Sequence, residues 1–150
     1  MYHRILVPID GSATAERGLH EAIRLAAELK ATLHVLHVLD DFPSEVEWSP
    51  ARQVEETLNR LRRQGNDLLT TARHAAQAAG VSVQTQQREV TRSTTADAIL
   101  DEVAKSGCDL VVMGTHGRRG FNRLALGSTA EAVARRSTVP LLMTRQPAAA

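Results

Sequence analysis

The 150-residue sequence predicts a doubly wound (Rossmann-like) α/β fold: a single domain with a five-stranded parallel sheet and helices on both faces. Three observations predict it. Strand-like and helix-like segments alternate along the whole chain as βαβαβαβαβ, and right-handed crossovers then make the sheet mainly parallel. Ile5-Leu6-Val7 and Leu110-Val111-Val112-Met113 are continuous apolar runs, as expected of strands buried on both faces. A glycine constellation lies between the second of these runs and a helix start, where sheets of this class hold ligands.

The elements follow in order. Arg4 to Ile9 reads as a strand ended by Pro8-Ile9-Asp10-Gly11-Ser12, in which Gly11 permits a tight turn and Ser12 caps the next helix. Ala15, Leu19, Ala22, Ile23, Ala26 and Leu29 recur at helical spacing. Thr32 to Leu39 is rich in β-branched and apolar residues and reads as the second strand. Val54, Leu58, Leu61, Leu68, Leu69, Ala72 and Ala76 form one stripe of a long helix over residues 51–79, which Gly65 either bends or divides and Gly80 stops. Residues 81–90 alternate as a half-exposed edge strand does. Ile99, Leu100 and Val103 mark a third helix that ends at Gly107. The pattern Ser128-Thr129-Ala130-Glu131 has the form of a capping box opening a fourth helix. The last strand comprises Val139, Pro140, Leu141, Leu142, Met143 and Thr144, and Pro140 predicts that it is an edge. Such an apolar edge calls for cover by another chain, so a homodimer through this strand is expected. The domain is expected to span residues 1–145, with residues 146–150 a disordered tail.

Composition narrows the function classes. A formal net charge of +1 supplies no field to drive nucleic-acid or anionic-membrane binding, and 3% aromatic content is low for a protein that stacks bases. Nothing resembles a signal peptide or a membrane span, so a cytoplasmic location is expected. Cys108 is the single cysteine, which excludes an internal disulfide and Cys-type zinc sites. It is expected to pack as a small hydrophobe. His34 and His37, three apart in a strand, fall on opposite faces and cannot chelate one metal.

Gly114-Thr115-His116-Gly117, nine further residues, and Gly127-Ser128 carry the functional signal. Glycine tolerates φ > 0 and lets backbone N–H groups approach an anion. Three glycines and a hydroxyl residue at this spacing arise by chance in about one of 200 chains this long. Strand, loop and helix start together aim amides and a positive dipole end at one point. Asp10, ending the first strand, lies on the same rim and fits either a turn cap or a ligand or metal contact.

These segments resemble the universal stress protein family over essentially the whole chain. The resemblance rests on Ile5-Leu6-Val7-Pro8-Ile9-Asp10-Gly11-Ser12, on His37-Val38-Leu39-Asp40, on the run from Asp109 through Gly117, and on Gly127-Ser128-Thr129 with Val139-Pro140-Leu141-Leu142. Members with the full glycine spacing bind ATP, and this chain has that spacing. The resemblance implies that Pro8 and Asp10 border the nucleotide, with Asp10 near the ribose or a phosphate-bound Mg²⁺. It implies that the Val38 backbone reads adenine and that Met113, Gly114, Gly117, Gly127, Ser128 and Thr129 hold ribose and phosphates. It also implies that the first and fourth strands are neighbours. The chain departs from the family at Arg92-Ser93-Thr94-Thr95-Ala96, where members often carry a glycine, and the segment of residues 42–50, with Trp48, is variable.

Arg118, Arg119 and Arg123 lie within the nine-residue stretch, and Arg118 is taken as the phosphate contact. His116 has no partner at catalytic spacing. Arg60, Arg62 and Arg63 read as a solvated helix face with Glu55 and Glu56 as partners one turn away. Three functions follow: a nucleotide-binding stress-response regulator with slow or no hydrolysis, an ATPase or phosphotransferase, and a structural dimer that binds no nucleotide. A P-loop ending in Gly-Lys-[Ser/Thr] is absent, since Gly114 to Gly120 contains no lysine, and this favours binding over rapid turnover.

Overall fold

The computed structural model describes residues 1–40, 50–116 and 125–146. Gly117, Arg118, Arg119, Arg123 and most of the variable segment, including Trp48, lie outside the described residues, as does the end of the tail. The elements are β1 (Arg4–Ile9), α1 (Ala13–Leu29), β2 (Thr32–Leu39), α2 (Ala51–Ala78), β3 (Val83–Glu89), α3 (Thr95–Ser106), β4 (Leu110–Gly114), α4 (Ser128–Arg136) and β5 (Leu141–Thr144). They form one parallel sheet in the order β3-β2-β1-β4-β5.

Strand alternation sorts the core into two layers. Ile5, Val7, Ile9, Leu33, Val35, Leu110 and Val112 meet α1 and α2 on one face, where Leu19, Ala22, Ile23, Ala26, Leu69, Ala72 and Ala76 close the layer. Leu6, Leu36, Val111 and Met113 meet α3 and α4 on the other, through Ala96, Ile99, Val103, Ala130 and Val133. Ile5, Leu6, Leu33 and Leu36 are fully buried, each contributing about 1.5–3 kcal/mol by leaving water. The chain winds outward from β1 through β2 to β3, then returns to start β4 on the other side. The order therefore reverses between β1 and β4.

Both edges fall where the sequence placed them. β3 is half-exposed, and β5 begins just after Pro140. Gly65 neither bends nor divides α2, which is one continuous helix. Its role is close approach: a Cβ there would lie 2.0 Å from Gln87 Nε2 and 2.6 Å from His37 Nδ1, so only glycine lets α2 settle on β2 and β3. Arg60 and Arg63 are exposed as expected and Arg62 partly so. Arg62 pairs directly with Glu89 at the end of β3, its Nη2 lying 3.1 Å from Oε2, with Glu55 adding a weaker attraction. That hydrogen bond holds the Glu89 carboxyl below its usual range.

Candidate functional site

The site grows from the order reversal. The β1–β2 ladder continues to Ile9 and His37, whereas the β1–β4 ladder pairs only Ile5 with Leu110 and Leu6 with Val111. Pro8, with no N–H to donate, lies in the unpaired stretch. The carboxyl halves of β1 and β4 are thus neighbours without a continued ladder, at the topological switch point where sheets of this class bind ligands.

The β1 side is a capped turn. Asp10 Oδ1 accepts the Ser12 N–H at 2.9 Å, and Ser12 Oγ accepts the Ala15 N–H at 3.2 Å as the N-cap of α1. Gly11, at φ +80°, uses the backbone freedom of glycine. Asp10 therefore does serve the turn, and its half-buried carboxylate stays on the rim.

The β4 side is built by close packing. Gly114 does not occupy the left-handed region. A Cβ at this position would sit 2.9 Å from Thr14 C and Cβ, so its glycine admits the first turn of α1 rather than supplying φ > 0. Thr14 Oγ1 donates to the His116 carbonyl. Thr115, 1% exposed, has its carbonyl 2.8 Å from the Gly127 N–H, which draws the start of α4 to the end of β4. His116 Nε2 donates to the Ala125 carbonyl, and its Nδ1 lies 2.9 Å from Thr115 Oγ1. Both ring nitrogens are therefore engaged in holding the chain.

Ser128 is not the helix cap that its sequence pattern predicts. The N-cap is Gly127, at φ −62° and ψ 154°, and no side chain caps the helix. Because Thr115 holds the Gly127 N–H, the helix start moves one residue earlier and Ser128 becomes the first helical residue. Glu131 is then one position too late for a capping box, and its carboxylate pairs with Arg135 Nη2 at 2.7 Å. Gly127 does not need glycine for its φ either, since any residue adopts that conformation.

The structure brings Pro8, Asp10, Met113, Gly114, Gly127, Ser128 and Thr129 to one rim, with Met113 buried and the others at least partly accessible. Val38, half-buried, lies near the carboxyl end of β2 on the far side of β1. Thr14, Thr115 and Thr144 also shape this rim and were not singled out from the sequence. Thr144 had one local signal, a polar residue closing an apolar edge strand.

Other titratable groups lie away from the rim. His34 Nε2 is 3.0 Å from Glu102 Oε1 on the α3 face, while His37 packs near Gln87 on the α2 face, so the two histidines do point apart. Cys108 is buried with its Sγ 3.1 Å from Ser106 Oγ, and burial raises its thiol pKa, as befits a small core residue. Among the described residues no helix is long and apolar enough to cross a membrane.

Comparison with known proteins agrees with this geometry. Universal stress protein YxiE of Bacillus subtilis is 30% identical over 97% of this chain and 100% of its own length. The crystal structure of a universal stress protein family member from Burkholderia pseudomallei superposes with a TM-score of 0.77 at 30% identity, covering 97% of each chain. Two more distant structures share the fold and were solved with nucleotides. One is a universal stress protein in complex with cAMP, with TM-score 0.71, 24% identity and 97% and 99% coverage. The other is the Archaeoglobus fulgidus protein in complex with dAMP, with TM-score 0.66, 21% identity and 96% and 98% coverage. The model of the universal stress protein family matches residues 1–145, and with the β1 turn, the glycine-bearing β4 end and the sheet order all in place, the chain belongs to that family.

Proposed function

We propose that the protein is an ATP-binding regulator of the stress response, acting as a cytoplasmic homodimer and hydrolysing its nucleotide slowly or not at all. The observation that carries this reading is the parting of β1 and β4 beyond Leu6 and Val111 at the end where Thr115 holds the start of α4. A helix start with no side-chain cap favours an incoming anion there. In this reading Met113, Gly114, Gly117, Gly127, Ser128 and Thr129 hold the ribose and phosphates, and Arg118 reaches a phosphate. Pro8 and Asp10 border the nucleotide, and the Val38 backbone reads adenine. The cAMP and dAMP complexes of the two fold neighbours support an adenine ligand.

The donor set fits Mg²⁺ only as a companion of the nucleotide. Asp10 offers a single carboxylate, and no group of three or more His, Cys, Asp or Glu side chains able to hold a metal occurs among the described residues. Mg²⁺ is commonly held by one carboxylate, substrate phosphates and water. Slow turnover is supported by His116, whose ring nitrogens are taken by Thr115 and Ala125 rather than poised as a base. A homodimer is supported by the β5 edge, where Leu142 is 39% exposed. The test is to denature freshly purified protein, identify released small molecules by chromatography and mass spectrometry, and titrate ATP by calorimetry with and without Mg²⁺. Release or tight titration of an adenine nucleotide is expected, and binding of none would overturn the reading.

A further inference from the structure

Thr144 closes an edge strand whose other residues are Leu141, Leu142 and Met143, yet it is buried, 9% exposed. A buried hydroxyl without an acceptor is destabilising, so its partners matter. Its Oγ1 lies 3.3 Å from the Thr14 carbonyl oxygen in the first turn of α1 and 3.4 Å from the Met113 carbonyl oxygen in β4. One hydroxyl proton is thus shared between the two segments that flank the parted strands. The Thr144 carbonyl also accepts the Thr115 N–H at 2.9 Å. Thr14 in turn donates its hydroxyl to the His116 carbonyl. There is little slack around this bridge. A Cβ at Gly18 would meet Thr144 Oγ1 at 3.3 Å, and one at Gly114 would meet Thr14 at 2.9 Å.

We propose that Thr144 is a positioning residue for the nucleotide site. Its hydroxyl fixes the first turn of α1 against the end of β4, and so sets the spacing between the Asp10 turn and the Thr115-His116 turn. This inference rests on the nucleotide reading above. Thr144 acts through Thr14, Met113 and Thr115 rather than by touching the ligand. The bridge spans the two sides assigned to phosphate and metal, whereas Val38, assigned to adenine, lies outside it on β2. Loosening the bridge therefore weakens the hold on a triphosphate more than the hold on a nucleoside.

The test compares Thr144→Val, which keeps the shape and removes the hydroxyl, with Thr144→Ser, which keeps the hydroxyl. Both variants and the wild type are titrated with ATP plus Mg²⁺ and with adenosine, and amide hydrogen exchange is followed in the ligand-free proteins. Thr144→Val is expected to bind ATP about fivefold to tenfold more weakly, with adenosine affinity changed by less than about twofold. Its Thr115 and Glu16 amides should exchange faster while Leu6 and Val7 in β1 do not, and Thr144→Ser should restore both readouts. Equal weakening for ATP and adenosine, unchanged ATP affinity, or failure of Thr144→Ser to rescue would overturn the proposal. A wild type that binds no adenine nucleotide would instead overturn the nucleotide reading. The exchange comparison then decides the bridge alone: unchanged exchange in Thr144→Val refutes it, and selective acceleration sustains it.

Discussion

The N-termini of α3 and α4 begin with similar sequences, Thr94-Thr95-Ala96-Asp97 and Ser128-Thr129-Ala130-Glu131, and end up differently capped. At α3, Thr94 Oγ1 accepts the Asp97 N–H at 3.1 Å while Asp97 Oδ2 accepts the Thr94 N–H at 2.9 Å, a complete capping box. Arg136 adds a 2.7 Å contact to Asp97 Oδ1, from the far end of α4. The backbone bond from Thr94 comes first among the causes, with those from Arg136 and the Thr94 hydroxyl, that lower the Asp97 carboxyl from 3.8 to about 2. α3 therefore answers its own dipole. α4 carries Glu131 in its first turn but has no side-chain cap, because the Gly127 N–H is held by Thr115, the start lies one residue earlier and Glu131 pairs with Arg135. The two ends differ in what caps them: a complete capping box at α3, and no side-chain cap at α4, where the proposed reading places the phosphates.

Making α4 resemble α3 is the most severe way to break this contrast. Gly127→Asp places an acid at an N-cap whose φ of −62° accepts any residue. It is expected to stabilise the fold by about a few tenths of a kcal/mol while weakening ATP binding at least about tenfold through charge repulsion. Opposite signs in melting and calorimetry would mark the site, and unchanged affinity would remove α4 from it. Asp10→Asn preserves an acceptor for the Ser12 N–H but removes the charge. Affinity for ATP with Mg²⁺ should fall about tenfold with adenosine nearly unaffected, and equal losses would count against the metal role.

Breaking the self-sufficient end should do the reverse. Thr94→Ala is expected to cost about 1 kcal/mol of stability, read by denaturant unfolding, with ATP affinity unchanged. Ser128→Ala should leave unfolding nearly unaltered because its hydroxyl caps nothing, and should lower ATP affinity by about threefold if that hydroxyl meets a phosphate. The smallest effect is in acid. Asp97 has a depressed folded pKa, so its contribution is present above the ordinary value of 3.8 and is lost as pH falls through about 2. Carboxyl NMR titration should place Asp97 near that lower value, and Asp97→Asn should flatten the part of the stability profile between those two pH values.

Much of the fold was legible because it is written in local periodicity. Ser12 starts α1 and Gly107 ends α3 as the sequence predicts, and the apolar runs of β1 and β4 become the centre of the sheet. The sequence proposes a candidate site because a strand end, glycines and a helix start lie close together in the chain. That site was less legible in its reasons. Gly65 and Gly114 looked like sites of backbone freedom and are sites of close approach. Ser128 looked like a cap and is displaced by a hydrogen bond from Gly127 to Thr115.

The sequence by itself determined the order and type of the elements and the edge positions of β3 and β5. These follow from side-chain periodicity and turn chemistry, which act over a few neighbouring residues. The tertiary structure alone decided the hydrogen bonds of Thr144 to Thr14 and Met113, the contact of His34 with Glu102, and the one-residue shift at the start of α4. Each depends on groups brought together only when distant segments pack, and nothing in the local pattern records which atom will be within reach.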